Sequence, residues 1–127
     1  MHKTRVLFVF FEEIHFDIIN STQSWAKKHY AQLPTNTLIS ASQQTHGLGQ
    51  FQRPWISPDE ENIYATFYFT LPEKIADLTH LSQLATLTVV QVLQKRGFAP
   101  KIKPPNDILL AEKKMWRCFI GNHFQQR

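Results

Sequence analysis

The chain has 127 residues and a mass of 14.9 kDa, enough for one domain with a core and too short for two. A hydrophobic content of 43% with 13% aromatics excludes a disordered polypeptide. The net charge of +4 and a pI of about 9.4 suit an anionic ligand such as a nucleotide. The basic residues are scattered, however, at Lys27–Lys28, Lys95–Arg96, Lys101, Lys103 and Lys113–Lys114, with no run that marks a nucleic-acid face.

A single cysteine, Cys118, rules out an internal disulfide and a cysteine-based zinc site, and it points to a reducing, cytoplasmic setting. The histidines at 2, 15, 29, 46, 80 and 123 form no i, i+4 ligand pair, so no metal cluster is expected from them. The opening MHKTRVLFVFFEE imitates a signal peptide, but its apolar core, Val6–Phe11, is cut off by Glu12–Glu13 and is too short to span a membrane.

In chain order, the β-branched and aromatic run Arg5–Phe11 reads as a buried strand. Asn20-Ser21-Thr22 reads as a helix cap, followed by a helix over Gln23–Ala31 with Trp25, Ala26 and Tyr30 for an inward face. Pro34-Thr35-Asn36 turns the chain into a strand at Thr37–Ala41. A long polar loop follows, Ser42–Pro58, with Gly47 and Gly49 in a Gly-x-Gly step, the pair Gln43-Gln44, Arg53 and Trp55. Such a step lets amides approach an anion, or is an ordinary surface turn.

Ile63, Ala65, Phe67 and Phe69 then alternate with Tyr64, Thr66, Tyr68 and Thr70, a strand with bulk enough to be covered on both faces. From Ile75 to Arg96 the period lengthens, and Leu78, Leu81, Ala85, Val89 and Val92 mark the inward stripe of a helix that Gly97 stops. Short strands are expected at Lys101–Lys103, Ile108–Leu110 and Met115–Ile120, with Pro104-Pro105 and Asn106-Asp107 as turn chemistry and Glu112-Lys113-Lys114 as a polar turn. The expected fold class is α+β, a mixed or antiparallel sheet flanked by helices.

Three stretches belong together: Ser21-Thr22-Gln23 at a helix start; Gln44-x-x-Gly47-x-Gly49 with Arg53, Trp55 and Asn62-Ile63-Tyr64 beyond; and Lys103-Pro104-Pro105-Asn106-Asp107 followed by Lys113-Lys114. In this order and spacing, from about Phe10 to Lys114, the chain resembles the central domain of biotin protein ligases, whose fold is that of the biotin and lipoate ligases. These enzymes use ATP to activate biotin as biotinyl-5′-AMP and transfer it to a lysine of the biotin carboxyl carrier protein of acetyl-CoA carboxylase. The resemblance implies biotin and ATP as substrates, with Mg²⁺. It assigns Ser21, Thr22, Gln23, Gln44, Gly47 and Gly49 to biotin, and Arg53, Trp55, Lys103, Asn106 and Asp107 to the nucleotide. Lys114 becomes the catalytic cation at the reacting carboxylate or phosphate, a role a lysine fills as a point charge.

The chain also departs from the family pattern. Leu48, Gln50 and Phe51 stand at arginine positions of the family's glycine-arginine loop, Gln52 at a glycine position, and Pro104 at a tryptophan position. Charge-assisted phosphate contacts are about twice as strong as neutral ones, so weaker nucleotide retention is expected. Trp116-Arg117 stands where the family has a small apolar pair ending in glycine, and a clash or a buried unpaired charge is expected there.

The reading is therefore of residues 1–127 as a single partial catalytic domain, without an N-terminal DNA-binding or C-terminal β-barrel domain. No nucleic-acid or membrane partner is expected, and exposed sheet edges or compensation by a homodimer are. The alternatives are a non-catalytic biotin- or carrier-binding relative, and acyl transfer of the lipoate ligase or octanoyltransferase type.

Overall fold

A computed structural model describes residues 2–8, 11–48, 53–56, 62–71, 80–104 and 107–118. The chain divides into two compact units, which among the described residues run over 2–71 and 80–118.

The first unit is built on a four-stranded mixed sheet in the order β1-β2-β3-β6, from β1 (His2–Phe8), β2 (Phe11–Ile19), β3 (Thr37–Gln44) and β6 (Tyr64–Tyr68). β1 and β2 pair antiparallel with Phe8 opposite Phe11, so the apolar run expected to be one strand spans a hairpin instead. Glu12 and Glu13, which seemed to end the strand, lie within β2, because alternate residues of a strand point to opposite faces and need not all be apolar. Helix α1 (Thr22–His29), continued by a 3₁₀ turn at Tyr30–Gln32, carries the chain back so that β3 runs parallel to β2. β6 closes the sheet antiparallel to β3.

α1 packs against β3 and β6, over a core of Ala26, Ile39, Ala41 and Tyr64, and Trp25 stacks edge-on against Phe16. The opposite face of β2 and β3 holds a polar chain. Ser40 donates to Glu13 at 2.6 Å, and the His15 ring lies between Ser40 Oγ at 2.8 Å and Ser42 Oγ at 3.1 Å. The bulk expected to be covered on both faces is covered unevenly: Tyr64 of β6 is buried, whereas Phe67 is 56% exposed. Part of the long loop is itself paired, as the antiparallel β4 (Gly47–Leu48) and β5 (Pro54–Trp55).

The second unit packs α2 (Leu81–Lys95) on the antiparallel sheet β7 (Lys101–Lys103), β8 (Asp107–Leu110) and β9 (Lys113–Arg117). The earlier turns expected for this helix, with Leu78, lie outside the described residues. Its buried residues are Thr86 and Val90, while Val92, expected to face inward, is 49% exposed. A threonine can take the centre of the face because its hydroxyl donates to the Ser82 carbonyl, 2.8 Å away and one turn back. Gly97, at φ +88°, ends α2 as expected. Its N–H bonds to Gln94 O and that of Phe98 to Leu93 O, which satisfies carbonyls the helix end would leave open. The β8–β9 turn is Ala111-Glu112, both at positive φ, so Lys113 and Lys114 belong to β9 rather than to the turn. Among the described residues no helix is long and apolar enough to cross a membrane.

Candidate functional site

The predicted site residues fall into two groups, one in each unit. In the first, Ser21 caps α1, its Oγ accepting from Ser24 N–H at 3.3 Å. Ser21 and Thr22 are 2% and 3% exposed, burial that a cap alone does not require. Thr22 gives both its amide N–H and its hydroxyl to Gln44 Oε1, at 2.9 and 3.2 Å. With its proton committed there, Thr22 Oγ1 accepts from Thr66 Oγ1 at 2.8 Å. Main-chain bonds from Thr45 N–H to Ile19 O (2.9 Å) and from His46 N–H to Asn20 O (2.7 Å) pin the chain after β3 beside the start of α1.

The Gln44 carboxamide is thus held with its oxygen toward Thr22, at the end of β3, beside buried hydroxyls and the half-buried Gln23. Such a junction of donors and acceptors can match a neutral polar ring with N–H and C=O groups. Gly47 is buried and pairs with Trp55 across β4–β5, and Arg53 is exposed just before that pair. Gly49 and Asn106 lie outside the described residues. Thr66 belongs with Thr22 and Gln44, and sequence reasoning missed it as a site residue; the one signal was its place between Tyr64 and Tyr68 on a single face of β6.

The second group centres on Asp107, which is 5% exposed. Arg117 donates to both its oxygens, Nε to Oδ1 at 2.7 Å and Nη2 to Oδ2 at 2.8 Å. Lys114 Nζ lies 3.2 Å from Oδ2. The sheet register explains the gathering, since Lys103, Asp107 and Arg117 are opposite one another across β7, β8 and β9. Lys114 and Arg117, three apart, would point to opposite faces of a regular strand. β9 is irregular between them: Trp116 pairs with Ile108 but Lys114 with Leu109, so Met115 is the extra residue of a bulge. The bulge puts both cations on the face of Asp107.

The expectation that Arg117 would bury an unpaired charge is corrected by its pairing with Asp107. The Trp116 indole N–H donates to Thr86 Oγ1 at 3.2 Å, and the Arg117 charge is met by Asp107. The Arg117 guanidinium holds the Asp107 carboxyl below its ordinary value, against the upward push of burial, and Lys114 adds to the lowering. Asp107 in turn raises Arg117.

These residues do not fit a Mg²⁺ ion. Both oxygens of Asp107 are occupied by cationic donors, Arg117 and Lys114, where a Mg²⁺ ion would need one of them turned to itself.

The first unit thus offers buried hydroxyls and an amide where a strand end meets a capped helix, and the second, by itself, a cluster of Asp107 with Lys114 and Arg117. The chain belongs to the biotin/lipoate A/B protein ligase family, whose model matches residues 15–118. It is 32% identical over 103 residues to the bifunctional ligase/repressor BirA of Bacillus subtilis, covering 80% of this chain and 32% of that protein. The corresponding protein of Escherichia coli is 28% identical over 99 residues, covering 77% of this chain and 31% of its own. The chain therefore spans about a third of the length of these relatives.

Among solved structures, biotin protein ligase from Aquifex aeolicus in complex with biotin and ATP superposes with a TM-score of 0.69 at 26% identity, over 80% of this chain and 43% of that one. Biotin acetyl coenzyme A carboxylase synthetase from Helicobacter pylori, with bound biotinylated ATP, shares the fold with a TM-score of 0.70 at 22% identity, over 80% of this chain and 50% of that one. The expected α+β fold of the biotin and lipoate ligases is thus the observed one, and the chain matches part of a biotin protein ligase catalytic domain.

Proposed function

We propose that this chain carries the biotin-activating part of a biotin protein ligase. In this reading it forms biotinyl-5′-AMP from biotin and ATP and passes biotin to a lysine of the biotin carboxyl carrier protein of acetyl-CoA carboxylase, in the cytoplasm. The observation that carries the reading is the Thr22–Gln44–Thr66 junction, with Ser21 capping the helix beside it. Ser21, Thr22, Gln23 and Gln44 bind the biotin head group, whose ureido ring needs both donors and acceptors. Gly47 and Gly49 bring main-chain amides toward the biotin carboxylate. Arg53, Trp55, Lys103, Asn106 and Asp107 serve the nucleotide.

Activation joins two anions, as the biotin carboxylate oxygen attacks the α-phosphorus and pyrophosphate leaves. Positive charge must be fixed where that negative charge gathers. Lys114 supplies it, held in direction by Asp107 at 3.2 Å.

Titration calorimetry with biotin tests the head-group assignment. The chain binds biotin, and Gln44→Leu and Thr22→Val each weaken binding at least about tenfold, the loss expected when a buried polar ligand group goes unpaired. No biotin binding by the unaltered chain, or equal binding by Gln44→Leu, would overturn the assignment.

A further inference from the structure

One carboxylate shares a face of the β7–β8–β9 sheet with three cationic side chains. Arg117 meets both oxygens of the buried Asp107 in a planar fork, at 2.7 and 2.8 Å, and Lys114 stands at Oδ2. Lys103, exposed, is opposite Asp107 in β7. A carboxylate that holds Mg²⁺ must turn an oxygen toward the ion at about 2.0–2.1 Å and share it with further oxygen ligands. To do so here, Asp107 would have to release a bidentate guanidinium and leave it beside a second, doubly charged cation.

With Arg117 absent, Asp107 and Lys114 would form a neutral pair. With Arg117 present, the guanidinium cancels the carboxylate, and Lys114, 39% exposed, remains as excess positive charge on the face that also carries Lys103. The guanidinium thereby does what a bound divalent ion does for a carboxylate: it neutralises it and leaves the face electropositive.

We propose that Arg117 takes the place of a divalent cation on Asp107, so that the face carrying Lys103 and Lys114 binds a polyphosphate anion without a metal. This rests on the nucleotide role given to the same sheet above, and it makes Arg117 a positioning residue.

The probe is inorganic pyrophosphate, titrated into the full chain in excess EDTA, with Mn²⁺ binding followed separately by electron paramagnetic resonance. The unaltered chain binds pyrophosphate in EDTA, and its Mn²⁺ spectrum is the same with and without Asp107→Asn. Arg117→Gly weakens pyrophosphate binding at least tenfold in EDTA and gains a Mn²⁺ site that Asp107→Asn removes. Arg117→Lys keeps an intermediate affinity, because charge remains and the fork is lost. Arg117→Gln repeats the Arg117→Gly losses without placing a glycine in β9, and protected β8–β9 amides in hydrogen exchange show that each variant is folded. Pyrophosphate binding that requires Mg²⁺ in the unaltered chain, or unimpaired binding by Arg117→Gly and Arg117→Gln in EDTA, overturns the proposal. A chain that binds biotin but needs a metal for pyrophosphate keeps the ligase reading and loses this one. Metal-free pyrophosphate binding without biotin binding does the reverse.

Discussion

Replacing Arg117 with glutamine removes two short charge-assisted hydrogen bonds from a carboxylate whose side chain is 7% exposed. Removing one partner of a buried ion pair costs about 3–5 kcal/mol, because the other charge stays buried. Two features reduce that figure here: Lys114 remains at 3.2 Å from Oδ2, and the Arg117 side chain is 25% exposed. A loss of about 2–3 kcal/mol at pH 7 follows, a change of roughly 30- to 150-fold in the opening equilibrium.

Hydrogen–deuterium exchange of the peptide over residues 107–117, measured through a urea series, reads this sheet locally. The pH dependence has a definite sign. Asp107 is held below its ordinary value in the folded chain, so its stabilisation is fully present above the unfolded carboxyl value near 3.9 and is lost as the pH falls through the lower folded value. The gap between the unaltered chain and Arg117→Gln is therefore constant from pH 7 to about pH 5 and narrows below about pH 4. A gap under about 0.5 kcal/mol at pH 7, or one that widens in acid, would refute the ion-pair account.

Thr86→Val deprives a half-buried indole N–H of its acceptor and should cost about 1 kcal/mol, with the Trp116 side chain reporting the change by fluorescence in a Trp25→Phe, Trp55→Phe background. In thermal melts, Gly97→Ala should destabilise α2 by about 1 kcal/mol through its backbone alone, since a Cβ there meets nothing within 4 Å, and Gly97→Asn should recover part of it. Burial raises the Cys118 thiol, so iodoacetamide should alkylate it several-fold more slowly at pH 8 in the native chain than in urea. Equal rates would show a thiol as open as in the unfolded chain.

Much of the fold was legible because its signals are local. The Ser21 cap, the stop at Gly97 and the period-two run at Tyr64–Tyr68 each name their element by side-chain chemistry. The β1–β2 hairpin was not, because Val6–Phe11 is continuously apolar and carries no turn residue at its middle. Nor was the helix stripe: a pattern that counts only apolar residues passes over Thr86, whose hydroxyl is satisfied within its own helix.

For the site, the motifs picked out Thr22, Gln44, Asp107 and Lys114, and the structure brings these together in two pairs. What motifs could not give was the third member of each group. Thr66 reaches Thr22 only through the β3–β6 pairing, and Arg117 reaches Asp107 beside Lys114 only because β9 bulges at Met115. Both depend on strand register, which no single segment encodes. The reading of Arg117 as a misplaced charge failed for that reason.

The central claim is that this chain activates biotin. Biotin-dependent exchange of labelled pyrophosphate into ATP by the purified 127-residue chain measures that half-reaction without any carrier protein. Our account predicts exchange that requires biotin and is lost in Gln44→Leu and Lys114→Ala. Biotin binding without any exchange would contradict it and leave a binding module in place of a ligase.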